Sequence, residues 1–125
     1  MNKVALEWID KAEKDILVAR REFRLKPPEF NAVCFHSQQC VEKYLKAILQ
    51  EKGISSGKTH DLNSLISSCL EYVPKLFVYR KVATQLSTFA VEVRYPGFEA
   101  GKAEAKMSLE TAENIRTLVR KHFSL

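Results

Sequence analysis

The sequence predicts an all-α protein, an antiparallel up-and-down bundle of four to five helices. Apolar residues recur at helical spacing through most of the 125 residues, which is the pattern of amphipathic helices. Only four glycines and four prolines occur, so long segments contain no helix breaker. No alternating pattern of useful length predicts a β-strand. We expect one domain over residues 1–125, with neither repeats nor a low-complexity tract.

The two longest predicted helices lie in the N-terminal half. The first covers about residues 3–25, with acidic residues early and basic residues late, an order that the helix dipole favours. Pro27-Pro28 separates it from the second helix. The second covers about residues 29–52, and Gly53 suits the position that follows a helix end. Its apolar stripe is expected to contain Val33, Cys34, Ser37, Val41, Tyr44, Leu45 and Ile48.

A polar loop at residues 53–60 precedes the third predicted helix. Asp61 is expected to cap this helix, although Thr59 could serve instead, and the helix ends near Tyr72. The last helix follows Gly101. Its core side is expected to contain Ala105, Ser108, Ala112, Ile115, Val119 and His122.

The fourth predicted helix begins with Pro74 in its first turn and continues to Arg94. It ends there because Tyr95 precedes Pro96, which cannot continue a helix, and Gly97 then permits almost any turn. One interpretation is a plain terminator, with an exposed arginine and a tyrosine that covers the bundle end. The other is a site for a phosphate or a base. The core side of this helix is expected to contain Leu76, Val78, Val82, Leu86, Phe89 and Val93.

Composition and charge narrow the class of protein. The net charge of +5 is a modest surplus, which is compatible with phosphate or nucleic-acid ligands. No run approaches the ~18 apolar residues of a membrane span, and the N-terminal residues lack the apolar core of a signal peptide. Cys34, Cys40 and Cys69 are an odd number without a CxxC pair, which fits a reducing compartment. We therefore expect a cytoplasmic protein that does not enter a membrane.

Several reaction classes lack their motifs in this sequence. It contains no GxxxxGKS/T, GxGxxG, HExxH or GxSxG pattern. Cys34, His36 and Cys40 suggest a metal site at first, but only His36 and Cys40 share a helix face. Two ligands are too few for a closed zinc site. No metal or other cofactor is expected, and the cysteines are interpreted as small apolar core residues.

Polar residues on one flank of the second helix are the next candidates. His36, Gln39 and Lys43 fall within roughly 60° of one another beside the apolar stripe. A structural interpretation makes His36 an edge-of-core residue that bonds a neighbouring glutamine. It makes Lys43 and Lys46 part of a solvated face, which Glu42 supports from four residues before Lys46. In the same structural interpretation, His60 and Asp61 form a helix cap, and Asp61 orients the histidine.

Four segments, taken together, resemble one family. Residues 8–16, WIDKAEKDI, contain a tryptophan, an alanine, an aspartate and an isoleucine at helical spacing. Residues 33–47 read VCFHSQQCVEKYLKA, residues 59–62 read THDL, and residues 93–96 read VRYP. In this order and spacing they are similar to the motifs of HEPN domains (higher eukaryotes and prokaryotes nucleotide-binding). The last segment differs from the family motif at its first position, Val93, where the family has alanine.

The resemblance implies an up-and-down bundle of four or five helices that forms a homodimer. It also implies a nucleotide or RNA ligand and a possible partner, a minimal nucleotidyltransferase encoded beside the protein in a toxin–antitoxin-like system. This sequence has no Gly-Ser step followed by a D-x-D pair, so nucleotide transfer would require that second chain. The candidate phosphate or base contacts are Lys43, His60, Arg94 and Tyr95.

The resemblance also implies an alternative, because several family members are metal-independent ribonucleases. Their motif is an arginine, four to six residues and then a histidine. Arg94 matches the arginine, but residues 99–101 are Glu-Ala-Gly, and the only later histidine is His122. A ribonuclease would need Arg94 as a catalytic residue and His36 or His60 as its base. A non-catalytic structural adaptor is the remaining alternative.

Overall fold

The computed structural model describes residues 1–125 and contains helices joined by short loops, with no β-strand. The all-α bundle is therefore confirmed. None of the helices is both long enough and apolar enough for a membrane span. The elements are α1 (Lys3–Arg24), α2 (Phe30–Glu51), α3 (Leu62–Cys69), a 3₁₀ helix (Pro74–Tyr79), α4 (Arg80–Glu92) and α5 (Lys102–His122).

Helix α2 is the centre of the bundle, because it contacts each of the other four α-helices. Tyr44, Leu45 and Ile48 on this helix are completely buried, and the rest of the predicted stripe is buried as well. Burial of a large apolar side chain stabilises a fold by roughly 1.5–3 kcal/mol. The main core therefore forms around α2, with Ile16 of α1 and Ile115 of α5 packed in the same cluster.

Three helix ends follow the capping chemistry that the sequence predicts. Asp61, not Thr59, caps α3, since its Oδ1 accepts a hydrogen bond from the backbone N–H of Asn63 at 3.1 Å. Gly53 follows α2 with a φ of +71°, a left-handed conformation that glycine adopts without strain. Helix α5 begins after Gly101, whose N–H donates to Glu104 Oε1 at 3.0 Å.

The single helix predicted from Pro74 to Arg94 is wrong, because its first part is a 3₁₀ helix and α4 begins only at Arg80. Val73, Leu76 and Tyr79 contact the main core, a spacing of three residues that matches the 3₁₀ period. Val78, predicted to face the core, is instead 73% exposed. Helix α3 is also shorter than expected, since it ends at Cys69 and not near Tyr72.

A smaller apolar cluster anchors the segment between α4 and α5. Val93 and Phe98 of this segment pack against it, and Phe98 stacks on Phe89 of α4 at 6.3 Å between ring centroids. Asn31 of α2 accepts a hydrogen bond from the N–H of Ala100 at 2.8 Å through its Oδ1. The chain between Val93 and Ala100 is therefore anchored at both ends, at Val93 by the smaller cluster and at Ala100 by α2, which places the residues between them.

Candidate functional site

Arg94 lies just after the end of α4, in the anchored segment that begins at Val93. Its guanidinium carbon is 5.9 Å from the centroid of the Phe35 ring on α2, a cation–π distance. No carboxylate pairs with Arg94, whereas Arg20 and Arg116 each form an ion pair with a glutamate. The arginine is exposed and keeps its full capacity to bind an anion.

A cavity of about 300 Å³ opens beside Arg94, between α2, α4 and the loop before α3. The α2 residues that line it recur at i, i+3 and i+4, as do the three residues from α4, so one face of each helix forms a wall. Arg94 extends the second wall past the end of α4. The loop contributes a histidine. The lining residues are Phe35, Gln38, Gln39, His60, Ser87, Ala90, Val91 and Arg94.

His60 therefore shares a cavity with Arg94, although the two are far apart in the sequence. Its Nδ1 is 3.0 Å from Oε1 of Glu42 and 3.1 Å from Oε2. Glu42 is 3% exposed and also pairs with Lys46 at 3.2 Å. The expectation that Asp61 orients the histidine is wrong, because Asp61 caps α3 and Glu42 makes the contact. Lys46 is buried, so the prediction that it lies on a solvated face is also wrong. The predicted pair between Glu42 and Lys46 is present.

Lys43 does not line this cavity. Its ammonium donates to Asp15 Oδ2 on α1, and His36 Nδ1 lies 2.9 Å from the other oxygen of the same carboxylate. Burial raises the pKa of Asp15, but the hydrogen bonds from His36 and Lys43 outweigh it and hold that pKa below its usual value. His36 thus bonds an aspartate of α1 and not, as expected, a glutamine of its own helix.

Tyr95 follows Arg94 directly, yet it is 64% exposed and does not line the cavity. Its position on the surface does not match the interpretation of a residue that covers the bundle end. A ring this exposed remains accessible to a flat ligand group.

At the positions where the ribonuclease motif would have its histidine, this chain has residues with structural roles. Glu99 Oε2 accepts from Asn31, Ala100 is buried in the smaller cluster, and Gly101 precedes α5. His122 is the last residue of α5 and does not line the cavity with Arg94. Of the three histidines, His60 alone lines this cavity.

The three cysteines are all buried thiols. Cys34 accepts a hydrogen bond from Ser108, and Cys40 belongs to the main core. Burial raises the pKa of Cys69 to about 12 and raises the pKa of Cys40 further. No group of three or more His, Cys, Asp or Glu side chains has the arrangement of a metal site.

Comparison with known proteins identifies the family. The model of the HEPN domain family matches residues 5–122. The chain belongs to the HEPN domain family. Two solved structures are similar to it. TT1696 from Thermus thermophilus superposes with a TM-score of 0.83 at 24% sequence identity, and the match covers 98% of this chain and 99% of that one. ST0689, an archaeal HEPN homologue, superposes with a TM-score of 0.71 at 26% identity, and the match covers 97% of this chain and 98% of that one. No curated protein sequence matches.

The four segments that carry the HEPN resemblance contact one another in the fold. Asp15 of the first segment bonds His36 and Lys43 of the second, and Glu42 of the second bonds His60 of the third. Arg94 of the fourth segment faces the ring of Phe35 in the second. Sequence reasoning singled out His60 and Arg94. It missed Phe35 and Ser87, although each lies at helical spacing from a residue that the sequence singled out, Phe35 from Gln39 and Ser87 from Arg94.

Proposed function

We propose that this HEPN protein binds the phosphate of a nucleotide or of RNA in the cavity beside Arg94. The observation that carries the proposal is an unpaired guanidinium and a histidine imidazole that line one cavity. Arginine binds phosphate oxygens through two parallel hydrogen bonds, and a protonated imidazole donates a further one. A cavity of about 300 Å³ is at the small end of the range of ligand pockets.

Other features of the cavity support the same ligand class. Ser87 Oγ is buried without a hydrogen-bond partner, and such a hydroxyl gains stability when a ligand satisfies it. Tyr95, exposed beside Arg94, is proposed to stack on a base. Lys43 would have to release Asp15 to reach a phosphate, so we assign it a minor part.

Equilibrium binding of ATP and of a short single-stranded RNA tests this proposal. Arg94→Ala should weaken binding roughly tenfold or more, because a charge-assisted contact is lost. The matched control is Arg24→Ala, which removes the same charge from an exposed arginine at the end of α1. Equal affinities in wild type and Arg94→Ala, or absence of binding of both probes, would contradict the proposal.

We further propose that the HEPN protein acts with a minimal nucleotidyltransferase as its partner. The resemblance to family members that are encoded beside such enzymes supports this, and so does the absence of a transfer motif in this chain. A net charge of +5 favours encounter with an acidic partner surface. Affinity purification from native lysate should retain a short acidic chain that carries a Gly-Ser step and a D-x-D pair. An unrelated neighbouring gene and no such chain would leave a solitary binding module.

Metal-independent RNA cleavage is a second candidate function, favoured by the histidine that shares the cavity with Arg94. The 2′-oxygen would attack the phosphorus as His60 takes its proton, and the bond from phosphorus to the 5′-oxygen would break to give a 2′,3′-cyclic phosphate. The leaving 5′-oxygen would take a proton from water, and Arg94 would stabilise the charge on the phosphate. Incubation with RNA in EDTA decides between binding and cleavage. Cleavage that both Arg94→Ala and His60→Ala abolish would establish the ribonuclease, while intact RNA with retained binding would establish the binding module. A structural adaptor would show neither property.

A further inference from the structure

We propose that Glu42 is a positioning residue, which directs Nε2 of His60 towards the cavity. Glu42 is 3% exposed, whereas the His60 side chain is 74% exposed. A buried carboxylate on the central helix thus fixes a surface imidazole in a loop. The inference rests on the proposed function for what the imidazole does, but the geometry of the contact stands independently of any ligand.

Three side chains donate to the Glu42 carboxylate or lie within hydrogen-bond distance of it. Gln38 Nε2 donates to Oε1 and Lys46 Nζ donates to Oε2, both at 3.2 Å. His60 Nδ1 lies within 3.1 Å of both oxygens. Gln38 Nε2 also donates to the backbone carbonyl of His60 at 3.3 Å. The loop residue is therefore attached to α2 through its backbone and its ring, and the carboxylate cannot turn away without losing the other donors.

This contact determines which ring nitrogen carries a hydrogen. An ionised carboxylate only accepts hydrogen bonds, so His60 Nδ1 must donate. Because Nδ1 uses its hydrogen in this contact, Nε2 is the ring nitrogen that a ligand can reach. No protein group bonds Nε2, so it can accept from a ligand hydroxyl or, when protonated, donate to a phosphate oxygen.

The chain contains a matched control for this arrangement. Asp15 is a second buried carboxylate that holds a histidine through Nδ1, at 2.9 Å from His36. His36 does not line the cavity. Replacement of Asp15 should therefore alter the His36 ring and leave the His60 ring unchanged.

Imidazole ¹⁵N NMR of the ligand-free protein tests the inference directly. In wild type, neutral His60 should carry its hydrogen on Nδ1, and finding it on Nε2 would overturn the proposal without any variant. The double variant Glu42→Leu/Lys46→Met removes the buried pair together, since apolar replacement of both partners is tolerated better than loss of one. It should shift His60 to a mixture of tautomers. Asp15→Asn should leave the His60 tautomer as in wild type.

Binding to a short single-stranded RNA separates this inference from the proposed function. Glu42→Leu/Lys46→Met should weaken RNA binding roughly tenfold, and adding His60→Ala should weaken it no further, because the residues act as a unit. A changed tautomer without RNA or ATP binding in any protein, wild type included, would refute the proposed function and support the positioning role. An unchanged His60 tautomer in the folded double variant would overturn the positioning role.

Discussion

Arg116 and Glu13 form a two-point ion pair that joins α5 to α1. Arg116 Nε donates to Glu13 Oε2 at 2.7 Å, and Nη2 donates to Oε1 at 2.8 Å. The buried Tyr44 donates its hydroxyl to Oε2 of the same carboxylate at 2.6 Å. These three hydrogen bonds connect α1, α2 and α5 at one point, so the first and last helices and the central helix are held in one register.

The Glu13 carboxylate should make the stability of the fold depend on acid pH. The hydrogen bond from Arg116 is the main reason that its pKa is lowered from 4.5 to about 2. Because the folded pKa lies below the unfolded one, the contribution is full above about pH 4.5 and decreases as the pH falls towards 2. Urea unfolding across this range should show a smaller loss for Glu13→Gln than for wild type. Asp10→Asn, an exposed control on α1, should retain the wild-type slope.

The two arginines Arg116 and Arg94 should differ in what they contribute to stability. Arg116→Ala should lower the free energy of unfolding by about 2 kcal/mol, since the variant leaves a partly buried carboxylate without its bidentate partner. Arg94→Ala should change it by less than about 0.5 kcal/mol, because the exposed guanidinium has no carboxylate partner. Equal losses in chemical denaturation would show that Arg94 has a structural role and would weaken its assignment to the site.

The cysteine thiols should resist chemical modification in the folded protein. Cys34, Cys40 and Cys69 are free and buried, and burial raises the pKa of each thiol. The thiolate is the reactive form, so a disulfide reagent at mildly alkaline pH should react only as the protein unfolds. Titration of thiols with and without denaturant measures this. Rapid reaction of one native thiol would contradict the core packing described for that cysteine.

A homodimer is expected, with the Arg94 cavity near its interface. Val91 beside Arg94 is 48% exposed, and a second copy would cover this apolar side chain. Light scattering at micromolar concentration should give twice the chain mass of 14.3 kDa. Val91→Glu should shift the mass towards the monomer, and Leu17→Glu, at a similarly exposed position on α1, should not. A clean monomer in wild type would refute the dimer.

Local pattern was sufficient for most of the fold. The bounds of α1 and α2, the start of α5, the Asp61 cap and the buried stripe of α2 follow from periodicity and capping chemistry, which depend on neighbours within one or two turns. The 3₁₀ helix was missed because the apolar residues at 76, 78 and 82 also fit the pattern of an α-helix. Only the packing of Leu76 and Tyr79 against the core selected the tighter period.

Motifs in the sequence identified two side chains of the candidate site, His60 and Arg94, but not Phe35 or Ser87. The partners of these side chains depend on the tertiary packing. Glu42 reaches His60 across 18 residues and Asp15 reaches His36 across 21, distances along the chain over which helical spacing carries no information. The same packing bonds Lys43 to Asp15 and leaves Arg94 unpaired. A buried carboxylate needs donors wherever the fold supplies them, so the assignment of these pairs depends on how α1, α2 and the loop before α3 meet.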